Sequence, residues 1–157
     1  MKTTTSYSNR TVDLSILKSP TGTEGDIIVN PDVSLTPMMV TGVQKLVQRF
    51  ATTFLTIKGT VENYSDFGTP IMQKALSGGI YSEATFTTAA AEANALAFRQ
   101  IREADEDLDT PDDEKLESSD IINLSLDRGS GTLSVTIELT TAAGAIVTFV
   151  TPLETGI

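Results

Sequence analysis

A run of apolar residues between positions 41 and 57, spaced as on one face of an α-helix, constrains this chain more than any other feature. Its apolar positions recur at intervals of three, four and seven: Val43, Leu46, Val47, Phe50, Phe54 and Ile57. This spacing predicts one broad stripe that must be buried against another element. Thr41 is a suitable N-cap and Gly59 a suitable C-terminal stop. The remaining polar positions are expected on an opposite, solvated face: Gln44, Lys45, Gln48 and Arg49.

Two further helices are predicted downstream. A short one starts at Thr69-Pro70, because proline suits a first helical turn, and stops at Gly78-Gly79. A longer one begins at Thr85 or Thr87, continues through Ala89–Ala104 and is ended by Thr110-Pro111. A narrow stripe of small residues along it would let another helix or a sheet approach closely.

The last third of the chain changes to a period of two, which is typical of half-buried strands. Three alternating segments predict an antiparallel meander with one wet face: Ile122–Leu126, Leu133–Leu139 and Ala145–Phe149. Near the start, Asp13–Leu17 and Asp26–Val29 predict an N-terminal hairpin. The predicted fold class is therefore α+β, with two longer helices and a short one packed on the C-terminal meander. Residues 124, 126, 135, 137 and 147 are expected to face the first helix.

Composition limits what the chain can do. Its 157 residues predict one domain over 12–157, preceded by a Thr/Ser-rich flexible arm at 1–11. The absence of Cys excludes disulfides and thiolate metal sites, and the absence of His removes the commonest general base. A net charge of −10 disfavours nucleic acid as a partner. No apolar run is long enough to span a membrane, and the first residues do not resemble an export signal, so a cytoplasmic location is expected.

Carboxylates are the remaining candidates for chemistry. Residues 103–120 hold ten of the 21 acidic residues against one Lys, but lack the central Gly and the spacing of a calcium loop. An exposed, poorly ordered segment is expected at 105–120, and no metal or cofactor. The pairs Glu83 with Glu92 and Glu62 with Asp66 would serve a glycosidase only across a cleft at a set separation. No His is available to activate a Ser or Thr hydroxyl, and an enzyme that uses only Asp or Glu stays open.

The last predicted strand is a candidate partner-binding site. It is apolar, is rich in β-branched residues and contains no charged residue. Its members are Ala145, Ile146, Val147, Thr148, Phe149 and Val150. If it is an edge strand, its unpaired backbone groups can template a strand from another protein. The alternative is a central strand that is already paired on both sides, and the sequence leaves both open.

Five segments in succession resemble a known family. They are the Asp13-Leu14 strand, the Gly25-Asp26 turn, the Val43–Phe50 helix, Leu55-Thr56-x-Lys58-Gly59 and Asp66-Phe67-Gly68-Thr69. In order and spacing, residues 12–150 resemble the baseplate wedge and sheath-initiator proteins of contractile-tailed phages, which are related to type VI secretion baseplate proteins. Many members carry a Glu-Pro-Arg signature between the second long helix and the sheet, where it helps dock the wedge core. Here Arg99–Asp105 lacks that signature, so the docking contact is not implied.

The resemblance implies a non-enzymatic virion protein of the tail baseplate, assembled in the host cytoplasm. It would link the wedge or hub to the sheath and initiate sheath assembly. The implied partners are other wedge and hub proteins together with sheath and tube proteins, without nucleic acid, membrane or a small-molecule substrate. Family members resemble sheath subunits at their C-terminal sheet, so Ala145–Val150 would pair with a strand of the first sheath ring. Alternatives are a carboxylate-dependent, lysozyme-like cell-wall glycosidase and an orphan adaptor domain.

Overall fold

The computed structural model describes residues 13–14, 26–28, 39–127 and 129–154. The elements of this part of the chain are β1 (Asp13–Leu14), β2 (Asp26–Ile28), β3 (Met39–Val40), α1 (Gly42–Leu55), α2 (Ile71–Leu76), α3 (Glu83–Asp107), β4 (Leu116–Asp127), β5 (Thr132–Thr141) and β6 (Ile146–Glu154). The described residues form an α+β fold with three helices and a C-terminal three-stranded antiparallel meander, which confirms the predicted class. The predicted arm at 1–11 lies outside the described residues.

The larger sheet has the strand order β2-β6-β5-β4. β5 pairs antiparallel with β4 and with β6, whereas β2 joins β6 in parallel, with Ile27 aligned with Phe149. β1 pairs antiparallel with β3. The predicted hairpin of Asp13–Leu17 with Asp26–Val29 is therefore wrong for the described residues of both segments, since each pairs with a distant strand. A short apolar run predicts a strand but not its partner, because any open edge can satisfy its backbone groups.

The apolar stripe of α1 forms the centre of the core, as predicted. Leu46, Val47, Phe50 and Phe54 are fully buried. The Phe50 ring lies 5.6 Å from that of Phe149 in an edge-to-face arrangement and 6.1 Å from that of Phe54. Of the sheet residues expected opposite, Val135, Ile137 and Val147 are buried, and Leu124 and Leu126 are half-buried against the same core.

The two later helices begin close to their predicted positions. Pro70 is the N-cap of α2, one residue after the Thr expected there. α3 begins earlier than predicted because Ser82 and Thr85 form a reciprocal capping box. Of the predicted stripe along it, Ala90, Ala93, Ala97 and Ile101 are buried, whereas Ala104 is exposed. Although α3 has 25 residues, none of the helices described is long and apolar enough to span a bilayer.

A bulge in β4 changes the predicted alternation of that strand. Ile121 pairs with Ile137 and Asn123 with Thr136, so Ile122 is an extra residue in the ladder. Ile121 consequently packs against the core, while Ile122 is 53% exposed. The period-two pattern grouped Ile122 with Leu124 and Leu126 on one face. It could not show the bulge, because a bulge shifts the alternation by one residue without changing the composition.

The turn after β4 is held by the carboxylate of Asp127. It accepts hydrogen bonds from the Ser130 hydroxyl at 2.8 Å and from the Gly129 N–H at 2.9 Å. These bonds favour the charged form, so they lower the pKa of Asp127 below its ordinary value, chiefly through Ser130. Because the pKa of Asp127 is lower in the folded state, its ionised carboxylate stabilises the fold at neutral pH. This stabilisation is lost as the pH falls through the acidic range.

Phe50→Ala should reduce the free energy of unfolding by about 3–5 kcal/mol, because it leaves a cavity between α1 and β6. The exposed Tyr64 is the control, and Tyr64→Ala should change the same quantity by no more than about 0.5 kcal/mol. Urea unfolding followed by circular dichroism measures both. Equal stabilities of the two variants would contradict the assignment of this helix face.

Candidate functional site

The two segments that follow α1 and carry the family resemblance lie side by side. The N–H of Lys58 donates to the carbonyl of Thr69 at 3.1 Å, and the N–H of Thr69 donates to the carbonyl of Thr56 at 2.8 Å. The Thr69 hydroxyl also donates to the Phe54 carbonyl at 2.5 Å, at the end of α1. The Leu-Thr-x-Lys-Gly segment and the Asp-Phe-Gly-Thr segment therefore form one compact substructure.

Gly68 is essential to this substructure. Its φ of +94° is rarely adopted by other residues, and a Cβ atom there would lie 2.4 Å from the Thr56 carbonyl oxygen. The side-chain amide of Gln100, on α3, donates to the Gly68 carbonyl and accepts from the Gly68 N–H, each at 3.0 Å. Gln100 therefore fixes the turn to α3 through a two-hydrogen-bond clamp.

The polar face of α1 is covered rather than solvated, which corrects the expectation for Lys45, Gln48 and Arg49. Lys45 and Gln48 are buried and Arg49 is half-buried. The Lys45 ammonium lies 3.0 Å from Glu114, whose other carboxylate oxygen accepts from the Gly42 N–H at 2.9 Å. Glu114 therefore supplies a negative charge at the N-terminus of α1, where the helix dipole stabilises one.

Asp105 makes a second buried contact with α1. Its carboxylate lies 2.8 Å from the Arg49 guanidinium and accepts from the Thr110 hydroxyl at 3.2 Å and the Leu116 N–H at 3.3 Å. Asp105 and Glu114 are 3% and 1% exposed. The prediction that 105–120 is poorly ordered is therefore wrong, since these two acids anchor the segment to α1 and β4 begins at Leu116.

Most of the other acidic residues of this stretch face solvent: Glu103, Glu106, Asp107, Asp109, Asp112, Glu117 and Asp120. The described residues contain no cluster of three or more Asp or Glu side chains arranged to hold a metal ion. The acidic stretch thus combines two buried anchors with an exposed negative surface.

The candidate partner strand is paired on both sides over part of its length. Thr148–Val150 pairs with β2 on one side and with β5 on the other. Of the two alternatives that the sequence left open, the central strand is the one found for these three residues, because β2 occupies their outer backbone groups. Ile146, at the start of β6, is 61% exposed. Whether Ala145–Val150 binds a partner stays a prediction. The two end strands in the described order are β2 and β4.

Of the carboxylate pairs considered for glycosidase chemistry, Glu83 with Glu92 is too widely separated to serve. Glu83 and Glu92 lie on one helix, about 13 Å apart along its axis at the usual rise per residue. This exceeds the separation used by either class of glycosidase. Glu92 instead pairs with Lys74. Glu62 is exposed, and Asp66 faces Lys58 at 3.6 Å with its side chain 96% exposed.

Comparisons of the chain with protein-family models, curated proteins and solved structures find no match. Function is therefore inferred from the residues and their contacts. Three residues that determine this region were missed in the sequence: Gln100, Asp105 and Glu114. A partial signal was available for two of them, because Lys45 and Arg49 are four residues apart and so share a helix face that could attract two carboxylates.

Gly68→Ala should destabilise the fold more than Gly78→Ala. Gly78 also has a positive φ, +71°, but a Cβ atom there has nothing within 4 Å. The control should therefore lose only the conformational cost of about 1–2 kcal/mol. The clash with Thr56 should add about 1–3 kcal/mol at Gly68. Denaturant unfolding compares the two variants, and similar losses would show that the close approach at Gly68 is unimportant.

Glu114→Gln should cost about 3–5 kcal/mol of unfolding free energy, because Lys45 would remain charged and buried without this carboxylate. Glu117→Gln is the matched control. Glu117 lies 3.5 Å from Arg102 at the surface, and such exposed pairs contribute less than about 1 kcal/mol. Both variants can be compared in guanidinium chloride. A loss at Glu114 no greater than that at Glu117 would contradict a structural role for the buried pair.

Proposed function

We propose that this protein is a non-enzymatic component of the baseplate of a contractile tail, where it joins the wedge or hub to the first sheath ring. The observation that carries the proposal is the contact between Leu55–Gly59 and Asp66–Thr69. These segments carry the resemblance to the wedge and sheath-initiator family, and they meet in one substructure built on Gly68 and Gln100. Shared motifs that fold against one another support a shared architecture better than scattered matches do.

The missing Glu-Pro-Arg signature is compatible with this role. At the same junction, between α3 and the sheet, this chain has Asp105 and Glu114 bound to Arg49 and Lys45. These carboxylates are satisfied within the chain, so they stabilise the junction rather than offering a free charged group. Docking to other wedge or hub proteins would therefore use a surface other than the one used by relatives with the signature.

Contact with the sheath is proposed through the C-terminal sheet. An incoming strand at Ala145–Val150 must either displace β2 from Thr148–Val150 or pair only with the first residues of this segment. A strand could also add at β4, the other end of the described order. Main-chain hydrogen bonds would supply the register in either case. The proposed partners are wedge, hub, sheath and tube proteins, and the proposed location is the tail baseplate after assembly in the host cytoplasm.

The proposal is tested by deleting the gene from the contractile system that encodes it and examining the particles by electron microscopy. Tubes without sheath, or no assembled baseplates, are expected, with rescue by the wild-type gene. Thr148→Pro removes a ladder donor from a strand that pairs with both β2 and β5, so fewer sheathed tails would indicate a sheath contact at β6 only when the variant is folded and incorporated. Ser125→Pro is the matched change on β4. Normal sheathed tails after deletion would refute the proposed role.

The glycosidase alternative requires a separate assay on purified protein. Turbidity of a peptidoglycan suspension should not fall when the protein is added. Clearing that is abolished by Glu92→Gln or Asp66→Asn would replace the structural role with an enzymatic one. This measurement is independent of tail assembly, so it distinguishes the two functions even if the deletion phenotype is complex.

A further inference from the structure

A groove of about 560 Å³ lies between α1 and α3. Thr52 lines it from α1, Ile101 and Ala104 line it from α3, and Phe67 closes it from the turn between α1 and α2. Its volume is in the range of protein sites that enclose a ligand or a side chain. Its walls combine an aromatic ring and aliphatic groups with hydroxyls, which suits a side chain with an apolar stem and a polar head.

The groove is also bordered by negative charge. Asp13, Asp66 and Glu103 line it. Arg49 lines it too, but its guanidinium is held by the buried Asp105 carboxylate at 2.8 Å. Lys58 and Arg99 lie 3.6 and 3.7 Å from Asp66 and Glu103, on exposed side chains whose pairing is weak and easily exchanged. The three rim carboxylates outnumber these two exposed cations by one, and this excess of negative charge favours a cation over an anion as ligand.

We infer that this groove binds an arginine-bearing segment of a partner protein. A guanidinium can stack on the Phe67 ring and donate to carboxylates at the rim, whereas its aliphatic stem can pack against Ile101 and Ala104. The charge of the whole chain, −10, favours encounter with a basic partner. The inference depends on the groove alone, and it does not require that the protein belong to a tail.

A charge-neutral substitution tests whether the groove itself is the site. Ala104 and Ala91 are both exposed on α3, but only Ala104 lines the groove. A fluorescent hexapeptide of alternating glycine and arginine is the probe, in about 0.15 M salt. Ala104→Trp fills the groove and should weaken binding at least about tenfold relative to Ala91→Trp. Amide signals of Thr52, Phe67 and Ala104 should shift when the peptide is added to the wild-type protein.

A pair of isosteric double variants tests the contribution of the rim charges. Asp66→Asn with Glu103→Gln removes two rim carboxylates, and Asp120→Asn with Glu83→Gln removes two exposed ones elsewhere. The rim variant should lose about tenfold in affinity and the control less than about threefold. Melting curves confirm that all variants are folded.

Four results would overturn the inference. They are no binding to the wild type, equal binding by the two Trp variants, equal losses in the two double variants, and equally tight binding of spermidine, a cation without guanidinium groups.

Discussion

The buried carboxylate of Glu114 is the contact on which the arrangement of helices and sheet depends. It binds the Gly42 N–H and the Lys45 ammonium at the start of α1, and it belongs to the connection that leads from α3 into β4. Burying a charge is unfavourable unless it is paired and hydrogen-bonded, so few alternative positions of this connection can satisfy it. Asp105 makes a similar contact about one turn after Lys45, through Arg49 and the N–H of Leu116. Together they determine where β4, and with it the meander, meets the helical layer.

The parts of the fold that could be predicted are those encoded by neighbouring residues. The stripe that includes Phe50 and Phe54 required a buried helix face, and alternation around Val135 and Ile137 required half-buried strands. Both patterns are local, since each needs only the period of the backbone. Gly68 was also singled out in the sequence, within the segment Asp66-Phe67-Gly68-Thr69, although its clamp by Gln100 was not visible there.

The parts that could not be predicted depend on residues far apart in the chain. Arg49 and Asp105 are 56 residues apart, so helical periodicity assigned Arg49 to solvent and acidic composition assigned Asp105 to an exposed segment. Exposure to solvent would be expected if either charge were unpaired. The two residues pair with each other instead, so both can be covered. The parallel pairing of β2 with β6 was not predicted, for a related reason. A strand edge remains open only if no distant strand of the same chain can reach it.

Two contacts, one that fixes α1 to α3 and one that fixes the turn after α1 to α3, also determine the properties of the groove between the helices. Arg49, bound to Asp105, and Gln100, bound to Gly68, both line it, so its walls are held by one ionic and one neutral contact. Walls fixed before binding reduce the conformational entropy lost when a partner docks. The attraction of a basic segment, in contrast, comes from exposed rim carboxylates that salt screens readily. Salt should therefore weaken binding while leaving the groove's shape intact, because Asp105 is buried and the Gln100 clamp carries no charge. Affinity and geometry are thus controlled by different interactions in the same groove.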